Sequence, residues 1–186
     1  RQKLVRSVQD QIDGACAIGI NVLAYATNRE VKYKDDVPVS FTGDNPKDRV
    51  ERGRLYIAKL RHPGGCDAAP RALANLMEAA SRELKIRVDI HPKLIDIRDP
   101  NLFNYPVVFM HGRNAFRLTD QERERLRTYV ERGGVLLADS ICGNQAFTES
   151  FRREMAATFP QHPMERIPAS DPIWTKQYGG FDLPTV

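Results

Sequence analysis

Gly133-Gly134-Val135-Leu136-Leu137-Ala138-Asp139-Ser140-Ile141-Cys142-Gly143 is the stretch that decides the fold. A charged helical pattern stops on two glycines, and a short, purely apolar run follows at once. The run opens into a polar turn carrying a carboxylate, a hydroxyl and a thiol. An apolar run of this length between helical patterns predicts a strand buried on both faces of a sheet. In open α/β sheets, ligands bind at the edge where such strands end. The stretch therefore predicts where a site lies without revealing a reaction.

Working outward, the same alternation recurs. Residues 55–60 form the first candidate strand, 86–90 the second, with Leu94-Ile95-Asp96 a short extended piece, and 105–110 a strongly apolar third. Between them, Leu73, Leu76, Met77, Ala80 and Leu84 mark one face of a helix, with Asp67 as its expected N-cap and Pro70 in its first turn. Thr119-Asp120-Gln121-Glu122 has capping-box spacing, and Gly133 is the expected C-terminal cap of the helix it starts. Phe147, Phe151, Met155 and Phe159 give a last apolar stripe, read as core. Strands alternating with helices imply parallel pairing, right-handed crossovers and helices on both faces. The expected fold over residues 54–186 is thus a three-layer α/β/α sandwich with a mainly parallel sheet.

Residues 1–53 read as an N-terminal helical arm and linker. Leu4, Val8, Ile12, Ala15, Cys16, Leu23 and Ala26 fall near one stripe of a helix over 4–30, which Gly14 and Gly19 weaken. Residues 35–54 are polar and rich in Pro and Gly, as a linker or ordered loop is. An arm with an apolar stripe needs a partner surface, on another domain or subunit. The tail after Pro160 carries Pro163, Pro168, Pro172 and Gly179-Gly180 and should be loop-rich, with Trp174 a candidate anchor.

Composition narrows the function classes. Hydrophobic residues at 41% and charged residues at 28% are enough for a real core and against global disorder. The net charge of +4 comes mostly from interleaved charges, as in Asp120-Gln121-Glu122-Arg123-Glu124-Arg125. With no basic tract interleaved with aromatics, nucleic-acid binding is not expected. No apolar run reaches membrane-spanning length and no signal peptide is visible. Three widely spaced cysteines, Cys16, Cys66 and Cys142, argue against a disulfide framework.

Several phrases together look like a known family: Ala58-Lys59-Leu60-Arg61-His62-Pro63-Gly64, Asp99-Pro100-Asn101-Leu102-Phe103-Asn104-Tyr105-Pro106, His111-Gly112-Arg113, Gly133 to Asp139, and Ala146-Phe147-Thr148-Glu149-Ser150-Phe151-Arg152-Arg153-Glu154. In this order they resemble the bacterial domain of unknown function DUF4159, over about residues 54–178. Gly19 to Thr27 also resembles the upstream arm of planctomycete-type members. The resemblance implies a flavodoxin-like sandwich similar to class I glutamine amidotransferases and supplies no established reaction. It implies relatives that are often exported or membrane-attached through other segments. Such relatives tend to carry a further strand, so the domain here would lack its last one.

Strand ends convert sequence distance into proximity. His62 and Cys66 follow the first strand, His111 the third, and Asp139, Ser140 and Cys142 the fourth. Cys142 with His111 or His62 as base would make a thiol hydrolase dyad, with Asp139 beside it. Against this, Ser140-Ile141-Cys142-Gly143-Asn144 lacks the first glycine of a Gly-X-Cys-X-Gly elbow, and His162-Pro163-Met164-Glu165 has the wrong spacing for the His-X-Glu of an amidotransferase triad. His62, Cys66, His111 and Cys142 are good zinc ligands by type, but no Cys-X-X-Cys or His-X-X-X-His pair supports them. Gly64 and Gly65 before a helix, with Arg61, Arg71, Gly112, Arg113, Ser140 and Gly143 around, suggest a ligand pocket for an anion. Pro70, Asp67 and the absence of a Gly-Lys-Ser/Thr ending weigh against it. Asp139 reads most simply as a cap of the turn or of the following helix.

The best reading is a non-catalytic module that binds an unidentified small ligand or a protein, with no cofactor. The rival is a cysteine-dependent hydrolase or amidase, and a zinc site is the weaker alternative. The compartment is not fixed by the sequence.

Overall fold

The computed structural model describes residues 6–28 and 54–183. The expected linker lies almost wholly outside them, as does Leu4 of the arm's stripe. Four helices are described: α1 (Arg6–Asn28), α2 (Ala72–Leu84), α3 (Asp120–Glu131) and α4 (Gln145–Thr158). Six strands accompany them: β1 (Arg54–Leu55), β2 (Ile57–Arg61), β3 (Arg87–Val88), β4 (Leu94–Asp96), β5 (Val107–Gly112) and β6 (Val135–Ser140).

All pairings are parallel. The main sheet has the order β4-β2-β5-β6, and β1 pairs with β3 beside it. The partner offset grows by two residues from Arg54↔Arg87 to Lys59↔Leu94, so the segment 87–96 bulges between its two ladders. The strand expected at 55–60 is thus split at Tyr56, and the one expected at 86–90 shortens to Arg87–Val88. β2 and β5 are adjacent, yet the chain leaves β2 toward one face (α2) and β5 toward the other (α3). That is the switch point where a crevice opens at strand ends.

Two cores follow from the two faces of β5. Val108 and Met110 join Leu126, Tyr129, Phe147 and Met155 under α3 and α4. Val107 and Phe109 join Leu73, Met77, Ile20 and Leu23 under α2 and α1. The fold is the α/β sandwich expected, helices on both faces of a parallel sheet. β5 is buried along its whole length, as its continuous apolar run requires.

β6 corrects an expectation. Read as buried on both faces, it is instead the last strand of the sheet, half-buried at Val135 to Ala138 and exposed at Asp139. Its entry is fixed by steric fit. Gly133 takes a positive φ of 92°, and a Cβ on Gly134 would stand 2.3 Å from the Tyr129 ring. Tyr129 in turn donates its hydroxyl to the carbonyls of Tyr105 (2.9 Å) and Val135 (3.3 Å), which locks the start of β6 to that of β5.

Helix starts show what sequence signals decided. The Thr119 capping box forms as read: the Glu122 amide donates to Thr119 Oγ1 and the Thr119 amide to Glu122 Oε2. α2 begins at Ala72, five residues after Asp67, because a series of turns fills 63–71. Asp67 is no cap. It pairs with Lys59 Nζ at 3.7 Å.

The second half of α1 is part of the α2-side core rather than a free arm. Gly19 lies against Leu76, where a Cβ would meet Cδ1 at 2.7 Å. Buried Asn21 holds the tail: its Nδ2 donates to Ile173 O (2.7 Å) and Phe181 O (2.9 Å), and its Oδ1 accepts from the Phe181 amide (2.7 Å). The tail is loop-rich as expected, but Ile173 is the residue it buries. Trp174 bonds within the tail, its Nε1 donating to Pro168 O.

Candidate functional site

β2, β5 and β6 end together, in the register Gly112↔Ser140 and Lys59↔Phe109. The loops that follow meet on one rim. Their contact is made by two glycines. The Gly64 carbonyl accepts the amides of Arg113 (2.9 Å) and Asn114 (3.0 Å). A Cβ on Gly112 would stand 2.4 Å from that carbonyl and 2.6 Å from the Phe147 ring, and one on Gly64 would stand 2.8 Å from His62 Nδ1. No side chain fits between these loops, which is why both positions are glycine.

Two histidines complete the lock. His62 packs against Phe116 and Phe147. Its Nδ1 accepts the Gly64 amide at 3.0 Å, so its Nε2 carries the proton and donates to His111 O at 2.9 Å. His111 is fully buried beside Phe109, and its Nε2 donates to the Cys66 carbonyl at 2.7 Å. Its Nδ1 has no hydrogen-bond partner among the described residues. Burial pushes both imidazole pKa values down, against the backbone carbonyls that would raise them. Both rings are therefore neutral struts between loops.

The loop after β5 is pinned from the other side by α4. The Phe116 amide donates to Ser150 Oγ, and the Leu118 amide to the buried Glu154 carboxylate. Arg123 closes on the same Glu154 oxygen at 2.8 Å and 3.1 Å. Burial works against ionisation of Glu154, but the Arg123 guanidinium and the Leu118 amide outweigh it and hold the carboxyl below its usual range.

Beyond β6 the chain makes a tight turn. Cys142 takes the left-handed conformation (φ 54°, ψ 31°) and is exposed, and Gly143 follows at φ 63°. Ser140 Oγ donates to Asn144 O, and Asn144 Oδ1 caps α4 by accepting the Phe147 amide. Asn144 thus takes the capping role expected of Asp139. The Asp139 side chain is exposed and shares no hydrogen bond with the turn.

The structure thus brings His62, Gly64, Cys66, His111, Gly112 and Arg113 together through backbone contacts. Cys142, Asp139 and Ser140 share the rim without bonding to either imidazole. Arg61 turns to Asp96 at 3.8 Å. The Gly64, Arg113 and Asn114 amides are spent within the lock. Among the described residues no three His, Cys, Asp or Glu side chains are placed to share a metal ion. A shallow depression of about 360 Å³ lies elsewhere, between Ala24, Thr27, Leu84, Ile86 and Tyr178 at the opposite sheet edge, and contains no candidate residue. Sequence reasoning missed Asn114, Asn144 and the buried Lys59. An Asn directly after a glycine-ended turn and ahead of an apolar stripe was the available signal for Asn144.

Among the described residues no helix is long and apolar enough to cross a membrane. Residues 56–186 match the family described as Domain of unknown function (DUF4159). A search of curated proteins gives no match.

Proposed function

The chain belongs to the DUF4159 family, and from that premise we propose that it is a non-catalytic binding module of glutamine-amidotransferase-like fold, its rim a rigid platform for a ligand or protein. The all-parallel order β4-β2-β5-β6 supports the fold reading. One observation carries the functional one: three of the four ring nitrogens of His62 and His111 are committed to backbone groups. A general base must reach the proton it takes. The fourth nitrogen, His111 Nδ1, belongs to a fully buried ring, while Cys142 is exposed.

One feature favours the rival hydrolase. Cys142 holds a positive φ directly after a strand, and strained backbone of this kind clusters at functional turns. The ester p-nitrophenyl acetate separates the two readings. After at most one equivalent from acetylation of the exposed thiol, the binding module releases p-nitrophenol at the same steady rate as its Cys142→Ser variant. Release of many equivalents of p-nitrophenol per protein, lost in that variant, would mean that water regenerates the thiol from its acetyl thioester, and would establish the hydrolase instead.

A further inference from the structure

Lys59 is a buried charge that the histidine lock leaves unused. It lies on β2 between β4 and β5, 7% exposed and opposite Phe109. Lysine is almost never buried unless it is paired. Among the described residues its partner is the Asp67 carboxylate, a side chain 75% exposed and 3.7 Å from Nζ, beyond hydrogen-bond range. His111 stands two residues beyond Phe109 on β5, and so on the same face of the sheet. Its Nε2 donates to Cys66 O, which leaves Nδ1 a buried lone pair without a donor among the described residues. Burial first, and the Lys59 charge after it, push the His111 pKa down, so the ammonium lies close to this ring. An ammonium short of an acceptor and an imidazole short of a donor thus share one corner without bonding to each other.

α2 starts over the same corner, after the turns that carry Asp67, and has no side-chain cap. The Ala72 amide reaches Ala69 O and the Asn75 amide reaches Arg71 O, while the Leu73 and Ala74 amides meet no acceptor among the described residues. Open amides at a helix start favour an anion.

Resting on the reading of the rim as a binding platform, we propose that this corner binds a phosphate group, free or as a monoester. Lys59 and the Leu73 and Ala74 amides donate to its oxygens. The P–OH of the monoanion donates to His111 Nδ1, and a phosphate monoester keeps that proton up to about pH 6. A carboxylate carries no such proton and satisfies only half of the corner. Asp67 is the weak internal substitute, which the bound phosphate displaces from Lys59.

The test is calorimetric titration of the full chain with inorganic phosphate, phenyl phosphate and benzoate, at about pH 6 where the phosphate monoanion is present. The phosphates bind and benzoate does not. The better bound of the two phosphates tells a free-phosphate site from a monoester site. Asp67→Asn, a change to an exposed side chain, tightens phosphate binding severalfold. Lys59→Met, verified as folded by circular dichroism, weakens it about tenfold or more, as loss of a charged hydrogen bond does. No heat with either phosphate, or affinities unchanged in both variants, would overturn the site and leave the non-catalytic reading standing. Benzoate binding as tightly as phenyl phosphate would overturn its assignment to phosphate. Phenol released from phenyl phosphate by the wild type and not by Lys59→Met would contradict the non-catalytic reading and leave the site in place.

Discussion

His111 Nε2 donates to the carbonyl of Cys66 at 2.7 Å, from a ring wholly withdrawn from solvent. One side chain on β5 thereby fixes the loop that follows β2. Replacing it by Phe keeps the volume but orphans the Cys66 carbonyl, and an unsatisfied buried acceptor costs about 2 kcal/mol. Urea unfolding of His111→Phe should show a loss of that size.

Acid should loosen the same lock. Burial lowers the pKa of both His62 and His111 in the folded chain. Above pH about 6.5 both folded and unfolded imidazoles are neutral and no proton uptake accompanies unfolding. Below it the unfolded chain binds protons that the folded chain refuses, so stability falls as pH falls. The buried Glu154 carboxylate adds its loss only lower, through the carboxylate range. The urea midpoint should drop between about pH 7.5 and about pH 5.5, and the drop should shrink in His62→Asn.

Gly112→Ala tests the contact between loops. Its Cβ would overlap the Gly64 carbonyl and the Phe147 ring, and neither backbone nor a packed ring yields cheaply. Overpacking of this kind costs about 3 kcal/mol, read as a lowered denaturation midpoint. Gly133, with open space around it, offers no such overlap.

The Cys142 turn should respond in the opposite sense. A non-glycine residue at φ 54° stores strain of order 1 kcal/mol. Cys142→Gly should therefore raise stability by about that amount, less the backbone entropy glycine loses on folding. A lowered melting temperature would refute the strain argument.

Arg123→Ala should be among the costlier surface-proximal changes. It leaves Glu154, 2% exposed, with the longer Arg153 contact at 3.4 Å and the Leu118 amide. Breaking one side of a buried ion pair costs about 3 kcal/mol, and the Leu118 amide should gain hydrogen-exchange rate.

What could be read in advance followed from local rules. The apolar run expected as a strand at 105–110, the Thr119–Glu122 box and the stop at Gly133 each depend on neighbours in sequence; the box and the stop stand as expected, and the strand forms two residues later, at Val107–Gly112, because Tyr105 caps a preceding 3-10 turn. β6 misled because an apolar run reports hydrophobicity and not how many strands flank it. Asp67 misled because Pro63-Gly64-Gly65 starts a series of turns that postpones the helix to Ala72. The histidine lock was invisible because side-chain bonds to backbone 45 and 49 residues away leave no spacing signature. Asn21 did leave one, a lone amide inside Gly19-Ile20-Asn21-Val22-Leu23, where an apolar residue would fit the stripe.

The claim that the rim is a strut and not a catalytic pair is tested most directly by alkylating Cys142. Its iodoacetamide rate should be followed against pH in the wild type, His62→Asn and His111→Asn, each with Cys16→Ser and each verified as folded. The account predicts three superimposable profiles, since neither imidazole touches the thiol. A rate at neutral pH that collapses on removing either histidine would show a coupled thiolate–imidazole pair, and would contradict it.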